Sequence, residues 1–358
     1  MDTGVSRWAI GLAAAGLLAA APARAQENTV PPVTVGAGVQ TSYVHDAPDG
    51  GDATDRFLLN SVRLYVNGTA AKHITFMFNT EYDGGSNHVT VLDAAAQFGL
   101  SAKVNFWVGR MLPPSDRANL YGPYYSHEWA VYTDGIQDGY PFVATGRDNG
   151  VLYFGQFDRL RLEGGVYDGP SATGQAAVLT AARAQYDFWD AEPGHYMNGT
   201  FYGDKNILAV GGAGQWQSGG VSSTGTKQAY TADFLLERKT GNGSAVSIES
   251  ELSRYDKLGG YDPKYALSHG AYVLGAYLFP KVSGLTGQFE LLGKFANARF
   301  AEPVTPTDPE YTQKTTEFNF NYVISQFKAR AMFFYLQKNF SAMHANDKQV
   351  GVGFQVQM

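Results

Sequence analysis

The side chains of this 358-residue sequence that could do chemistry are its charges and its seven histidines. Nucleophilic catalysis needs a nucleophile, a base and an orienting group within reach of one another. His45, His73, His88, His127, His195, His269 and His344 fall mostly in predicted loops or at strand ends. Neither a G-x-S-x-G elbow nor an HExxH pair occurs. His127 beside Glu128 is the one pair with acid–base potential, and a histidine in such a place is more often solvated than catalytic. With no cysteine there is no disulfide scaffold and no thiolate metal site. The sequence therefore reads as a non-enzyme with no cofactor, and its charges are better suited to electrostatic selection than to reaction.

Those charges sit in segments that alternate almost from end to end. Val33, Val35, Ala37, Val39 and Tyr43 share one face, with Thr34, Gly36, Gly38, Gln40 and Ser42 on the other. Val246, Ile248 and Leu252 oppose Ser247, Glu249 and Glu251, and Phe327, Ala329, Ala331, Phe333 and Tyr335 oppose Lys328 and Arg330. A side-chain period of two is that of a strand, and one apolar face with one charged face means that each strand separates two media. About sixteen such segments can be read: 33–44, 56–67, 73–83, 89–99, 104–110, 147–157, 159–167, 177–188, 206–217, 227–238, 244–255, 269–278, 286–299, 311–322, 325–336 and 347–358. Each is near the ~9–11 residues that a tilted membrane strand needs. The fold class is all-β: a transmembrane antiparallel barrel.

Composition agrees. With 42 Gly, 22 Tyr and 22 Phe but an ordinary 44% hydrophobic residues, the chain looks like one that alternates lipid-facing and water-facing positions. A net charge of -6 argues against nucleic acid, whose phosphates call for clustered Lys and Arg. The N-terminus has a basic Arg7, an apolar run from Trp8 to Ala21 and small residues at Ala23-Arg24-Ala25. It reads as a signal peptide over 1–25, leaving 26–358 as the barrel, with the cell outer membrane as destination and its lipid as a partner. Connections should alternate between long extracellular loops and short periplasmic turns. They do, except at Trp189–Lys205, which is long where a short turn is due. Either that turn is elaborated or a hairpin has been missed.

Met111–Gly146 is much the longest connection and is rich in aromatic residues, including Tyr121, Tyr124, Tyr125, Trp129 and Tyr132. A sixteen-stranded wall encloses more space than its own side chains can fill. The expectation is that this third extracellular loop folds inward and narrows the passage, rather than forming a lid. Its charges, Asp116, Glu128, Asp134 and Asp138 with Arg110, Arg117 and Arg147, would then shape the constriction. By parity, Arg63, Arg159, Arg161, Arg183, Lys294, Lys328 and Arg330 face the lumen, with Glu81, Asp93, Glu163, Asp233, Glu237, Glu249, Glu251 and Glu290 as their acidic counterparts. An acidic loop opposite a basic wall would set up a transverse field favouring small hydrophilic, charged or polar solutes or ions. Reversing Arg161 or Arg330 should then shift selectivity toward cations. The same charges could equally pair and anchor the loop.

Several landmarks carry a family likeness. Arg63-Leu64-Tyr65-Val66-Asn67-Gly68, Asp93-Ala94, Val108-Gly109-Arg110 with Pro113-Pro114, Gly146-Arg147-Asp148-Asn149-Gly150-Val151 and Gly165-Val166-Tyr167-Asp168-Gly169 follow one another in order. Together they resemble the phosphate-selective porin O/P family over most of the chain beyond residue 25. The resemblance implies a sixteen-stranded homotrimeric porin and places Met111–Gly146 as its constriction loop. It does not imply phosphate. Guanidinium groups in excess would mark a phosphate channel, and here the charges nearly balance, so weak selectivity ranks above an anion- or phosphate-selective pore, with a sugar channel a further possibility.

Overall fold

The computed structural model describes residues 32–136, 146–169, 177–218, 226–257 and 264–358. The expected signal peptide and Asp138 lie outside the described residues. Sixteen strands close into one barrel in which each pairs antiparallel with its sequence neighbour and the first with the last. They are β1 Val33–Asp46, β2 Thr54–Ala71, β3 Ile74–Asp83, β4 His88–Ser101, β5 Val104–Met111 and β6 Asp148–Phe157. Then come β7 Leu160–Tyr167, β8 Leu179–Asp187, β9 Ile207–Ser218, β10 Thr226–Gly241 and β11 Ser244–Asp256. β12 Tyr265–Leu278, β13 Gln288–Pro303, β14 Tyr311–Ser325, β15 Ala329–Phe340 and β16 Asp347–Gln357 complete the circle. No described helix is long and apolar enough to cross a membrane, and closure of the sheet satisfies the backbone instead.

The strand number and the parity of each segment are as the alternation predicts. The 188–206 connection is an elaborated link between β8 and β9, not a missed hairpin. One local expectation fails. Phe327 was placed on the outer face of the fifteenth strand, yet β14 runs on to Ser325 and a tight turn follows, closed by Lys328 N–H donating to the Ser325 carbonyl at 2.8 Å. In that turn the Phe327 ring swings into the barrel and packs edge-on against Tyr125 and Tyr202.

Outward positions carry large exposed apolar side chains, among them Phe78, Val108, Leu291, Phe318, Phe333 and Phe354. In water such a continuous apolar surface would drive aggregation, whereas hydrocarbon accepts it. Aromatic pairs mark the rims. Tyr186–Phe188, Tyr277–Phe279 and Phe289–Tyr322 lie at the short-turn end, and Tyr43–Phe57 and Trp216–Tyr230 at the other. Inward positions are polar or charged and mostly buried, because the lumen is largely filled.

Candidate pore and its constriction

Two connections fill the lumen from opposite ends. The loop between β5 and β6 leaves the long-loop end, and the insert 188–206 between β8 and β9 leaves the short-turn end. The loop begins with Pro113-Pro114, and Asp116 then caps a five-residue helix, α1 Arg117–Tyr121, by accepting Asn119 N–H at 2.7 Å. Gly122, at φ 63°, breaks this helix into a 3-10 turn at Pro123–Tyr125. Beyond it the loop crosses to the far wall. Trp129 and Ala130 N–H groups donate to Glu317 of β14, each at 3.1 Å, and Lys294 of β13 sits 2.9 Å from Asp134 and 3.5 Å from Glu128. Arg330 of β15 donates to the Ser126 carbonyl. Two inward glycines receive loop rings. A methyl group at Gly38 would stand 2.6 Å from Tyr124, and one at Gly353 would stand 2.4 Å from Trp129.

The insert is held just as firmly. Arg161 of β7 donates to the Glu192 and Gly194 carbonyls at 2.9 and 2.8 Å. Glu237 of β10 accepts N–H groups of Phe201 and Gly203 at 2.8 and 2.6 Å. The two inserted segments meet through main-chain bonds, Met197 N–H to Leu120 O at 3.1 Å and Gly199 N–H to Tyr125 O at 2.8 Å. Arg117 of the loop grips Glu192 of the insert with both terminal nitrogens.

Two buried histidines staple these junctions. His127 faces Glu290 at 3.1 Å through Nδ1 and the Gly199 carbonyl at 3.0 Å through Nε2. His195 faces Glu163 at 2.8 Å and the Leu112 carbonyl at 3.0 Å. Each ring meets two acceptors, and at His127 only an imidazolium can donate to both. Burial pulls the His127 pKa down, but the adjacent Glu290 carboxylate outweighs it and leaves the ring at about 9. Burial pushes Asp116 the other way, up to about 6. Both His127 nitrogens are occupied, so the His127–Glu128 pair offers no base to a substrate.

What stays open is a cavity of about 1210 Å³ against the β1–β4 wall. Its lining runs from Asn60 and Asp83 toward one end to Thr34, Asn67 and Lys328 at the other. Arg63 donates Nε to Glu81 at 2.9 Å and stacks on Tyr124 at 4.6 Å. Asp93 accepts from Arg147 at 3.4 Å and from Tyr196 of the insert at 2.5 Å. Wall, loop and insert thus share one node on the passage.

Of the charges expected at the constriction, Arg147 lines this cavity, while Asp116, Arg117, Glu128 and Asp134 are buried in the contacts just described. Arg110 shares the outward parity of Val108 and donates to the Val91 carbonyl at 3.0 Å, and it is not among the residues that line the cavity. Of the wall charges, Arg63 and Lys328 line the cavity. Arg161, Arg183, Lys294, Arg330, Glu249 and Glu251 lie beneath the inserted segments, and Arg183 pairs with Asp233 at 2.5 Å. Arg159 sits in the β6–β7 turn, donating to the Phe188 carbonyl at 2.7 Å. Arg161 and Arg330, expected to tune selectivity, are anchors. Sequence reasoning passed over Tyr196 and the whole insert, and the only signal was its unexplained length.

No known protein family matches this sequence, and no curated protein does. Solved structures do match its fold. OmpF of Salmonella typhi, in complex with daunomycin, is similar with a TM-score of 0.65 at 11% identity, over 91% of this chain and 97% of that one. The anion-selective porin of Comamonas acidovorans gives 0.55 at 14%, over 92% and 100%. OmpT of Vibrio cholerae, an outer-membrane protein in trimer form, gives 0.56 at 12%, over 91% and 99%. At such identities the likeness is one of fold: a closed sixteen-stranded barrel of porin type.

Proposed function

We propose that this chain is an outer-membrane porin that passes small hydrophilic solutes by passive diffusion. The observation that carries it is the cavity of about 1210 Å³ left beside β1–β4, inside a barrel whose outer face suits lipid. Export by the 1–25 signal peptide, insertion in the outer membrane and assembly as a homotrimer belong to the same reading. So does kinship with the phosphate-selective porin O/P family, without its namesake solute. The charges on the passage are Arg63, Arg147 and Lys328 against Glu81, Asp83 and Asp93. A phosphate filter would need guanidinium groups in clear excess, so weak selectivity is favoured over an anion pore. A barrel enzyme is disfavoured by the occupied His127. Planar-bilayer recording of the refolded protein in a salt gradient tests this. Steady single-channel steps unaffected by micromolar phosphate are expected. Absence of conductance from folded protein would refute the porin reading, and block by low phosphate would make the pore an anion channel.

A further inference from the structure

The passage differs from an ion pathway in how its charges are placed. Arg63 and Glu81 stand directly opposite in the β2–β3 register and are hydrogen-bonded, so their fields cancel within a few ångströms. Arg147 and Asp93 form a second close pair. The lining offers neither a net charge nor two separated walls of opposite sign.

Amides and rings make up much of the rest. Asn60, Asn67, Asn79, Asn119 and Asn198 line the cavity, together with three glutamines. The amide nitrogens of Asn79, Asn119 and Gln40 already donate to Asp93, Ser115 and Gln355, and Asn60, Asn67 and Asn198 with the paired charges present donors and acceptors side by side, the pattern that vicinal hydroxyl groups satisfy. Five tyrosines and Phe327 also line it. The tyrosine hydroxyls are largely engaged elsewhere. Tyr121 donates to Glu249 at 3.0 Å, Tyr132 to the Ala118 carbonyl at 3.3 Å, Tyr196 to Asp93 at 2.5 Å and Tyr65 to Gln357 at 3.5 Å. These bonds hold the rings in place, and what the side chains offer to the passage is rigid aromatic surface. Fixed rings beside paired polar groups bind a solute with one apolar face and a hydroxylated rim.

We propose that the passage favours uncharged, ring-shaped polyhydroxylated solutes, sugars by chemical class, over ions of similar size. The proposal rests on the porin reading above and narrows its solute.

The test uses the full-length protein refolded into planar bilayers in potassium chloride. A neutral hexose or disaccharide added to one side should interrupt the single-channel current in a concentration-dependent way. The corresponding sugar acid should do so less well, and the reversal potential in a salt gradient should stay near zero. Tyr65→Ala and Tyr132→Ala should each weaken the sugar block about tenfold while salt steps persist, and Tyr65→Phe, which keeps the ring but loses the bond to Gln357, should fall between wild type and Tyr65→Ala. Salt steps that ignore sugar, or a sugar acid that blocks better than its neutral parent, would overturn the solute class and leave the porin intact. No steps of any kind from folded protein would remove the porin reading and this proposal together.

Discussion

The β1–β4 sector and the β7–β15 sector of the lumen carry the same alternating pattern, yet they end in opposite states. In the first, Arg63 and Glu81 pair across neighbouring strands and, although Arg63 is itself only 7% exposed, line the open cavity. In the second, Arg161, Arg183, Lys294 and Arg330 are each 4% exposed or less, spent on carbonyls and carboxylates of the inserted segments or of the wall beneath them. An inward-facing charge is therefore not the same as a pore-lining charge. Whether it meets solute depends on what the rest of the chain lays over it.

The strongest way to break this contrast is to remove the insert. Replacing residues 190–204 by a two-residue Asn-Gly turn should raise single-channel conductance several-fold, because the filled sector loses one of its two inserted segments. Unchanged conductance would mean that the loop alone closes that side. Next in size is the joint between loop and insert. Arg117→Ala leaves Glu192 buried with only the Gln185 amide as a hydrogen-bond partner and without its ion pair, a loss of about 3–5 kcal/mol at a pair whose side chains are 0% and 3% exposed. The expected outcome is faster proteolysis within 112–136 while the barrel itself stays folded, and a digestion rate equal to wild type would show that the joint does not hold the loop.

The contrast is sharpened by comparing charge changes in the two sectors. Glu81→Gln frees Arg63 beside the passage and should move the reversal potential toward anions. Arg161→Glu should loosen the insert and increase current noise without the shift toward cations that a pore-lining position would give. A clean cation shift from Arg161→Glu would return it to the pore lining.

The smallest effect is that of pH. His127 is raised from its ordinary 6.5 to about 9 because the imidazolium is the bound form. Its contribution is complete below the ordinary value and is lost as pH rises through about 9. Asp116, raised to about 6, favours the protonated carboxyl, so ionising it between its ordinary value and about 6 also weakens the loop as pH rises. Loop proteolysis should therefore increase between about pH 6.5 and about pH 9, and His127→Gln should flatten that rise. An equally steep rise in the variant would remove His127 as its cause.

Much of the fold was legible because its signals are local. Each segment of alternation became a strand, and Val350 through Val356 alternate along β16 as the pattern requires. Of the candidate site, Arg63 and Arg147 were found where parity or loop position put them, whereas Lys328 reaches the cavity from the turn between β14 and β15. Arg110 was misplaced because it was read with the loop rather than by the parity of β5, which turns it outward. Tyr196 was missed because nothing in the string Glu192-Pro193-Gly194-His195-Tyr196 marks it as inward-folding.

The sequence by itself determined the number of strands, the face that most side chains within the strands take and the long loop as the element able to narrow the barrel. Those follow from a period of two between lipid and a polar interior, which acts residue by residue. Only the tertiary structure decided which inward charges line the open cavity and which bind protein. Arg117 and Glu192 are 75 residues apart and His127 and Glu290 are 163. Periodicity carries no record of what a buried side chain will find across the lumen.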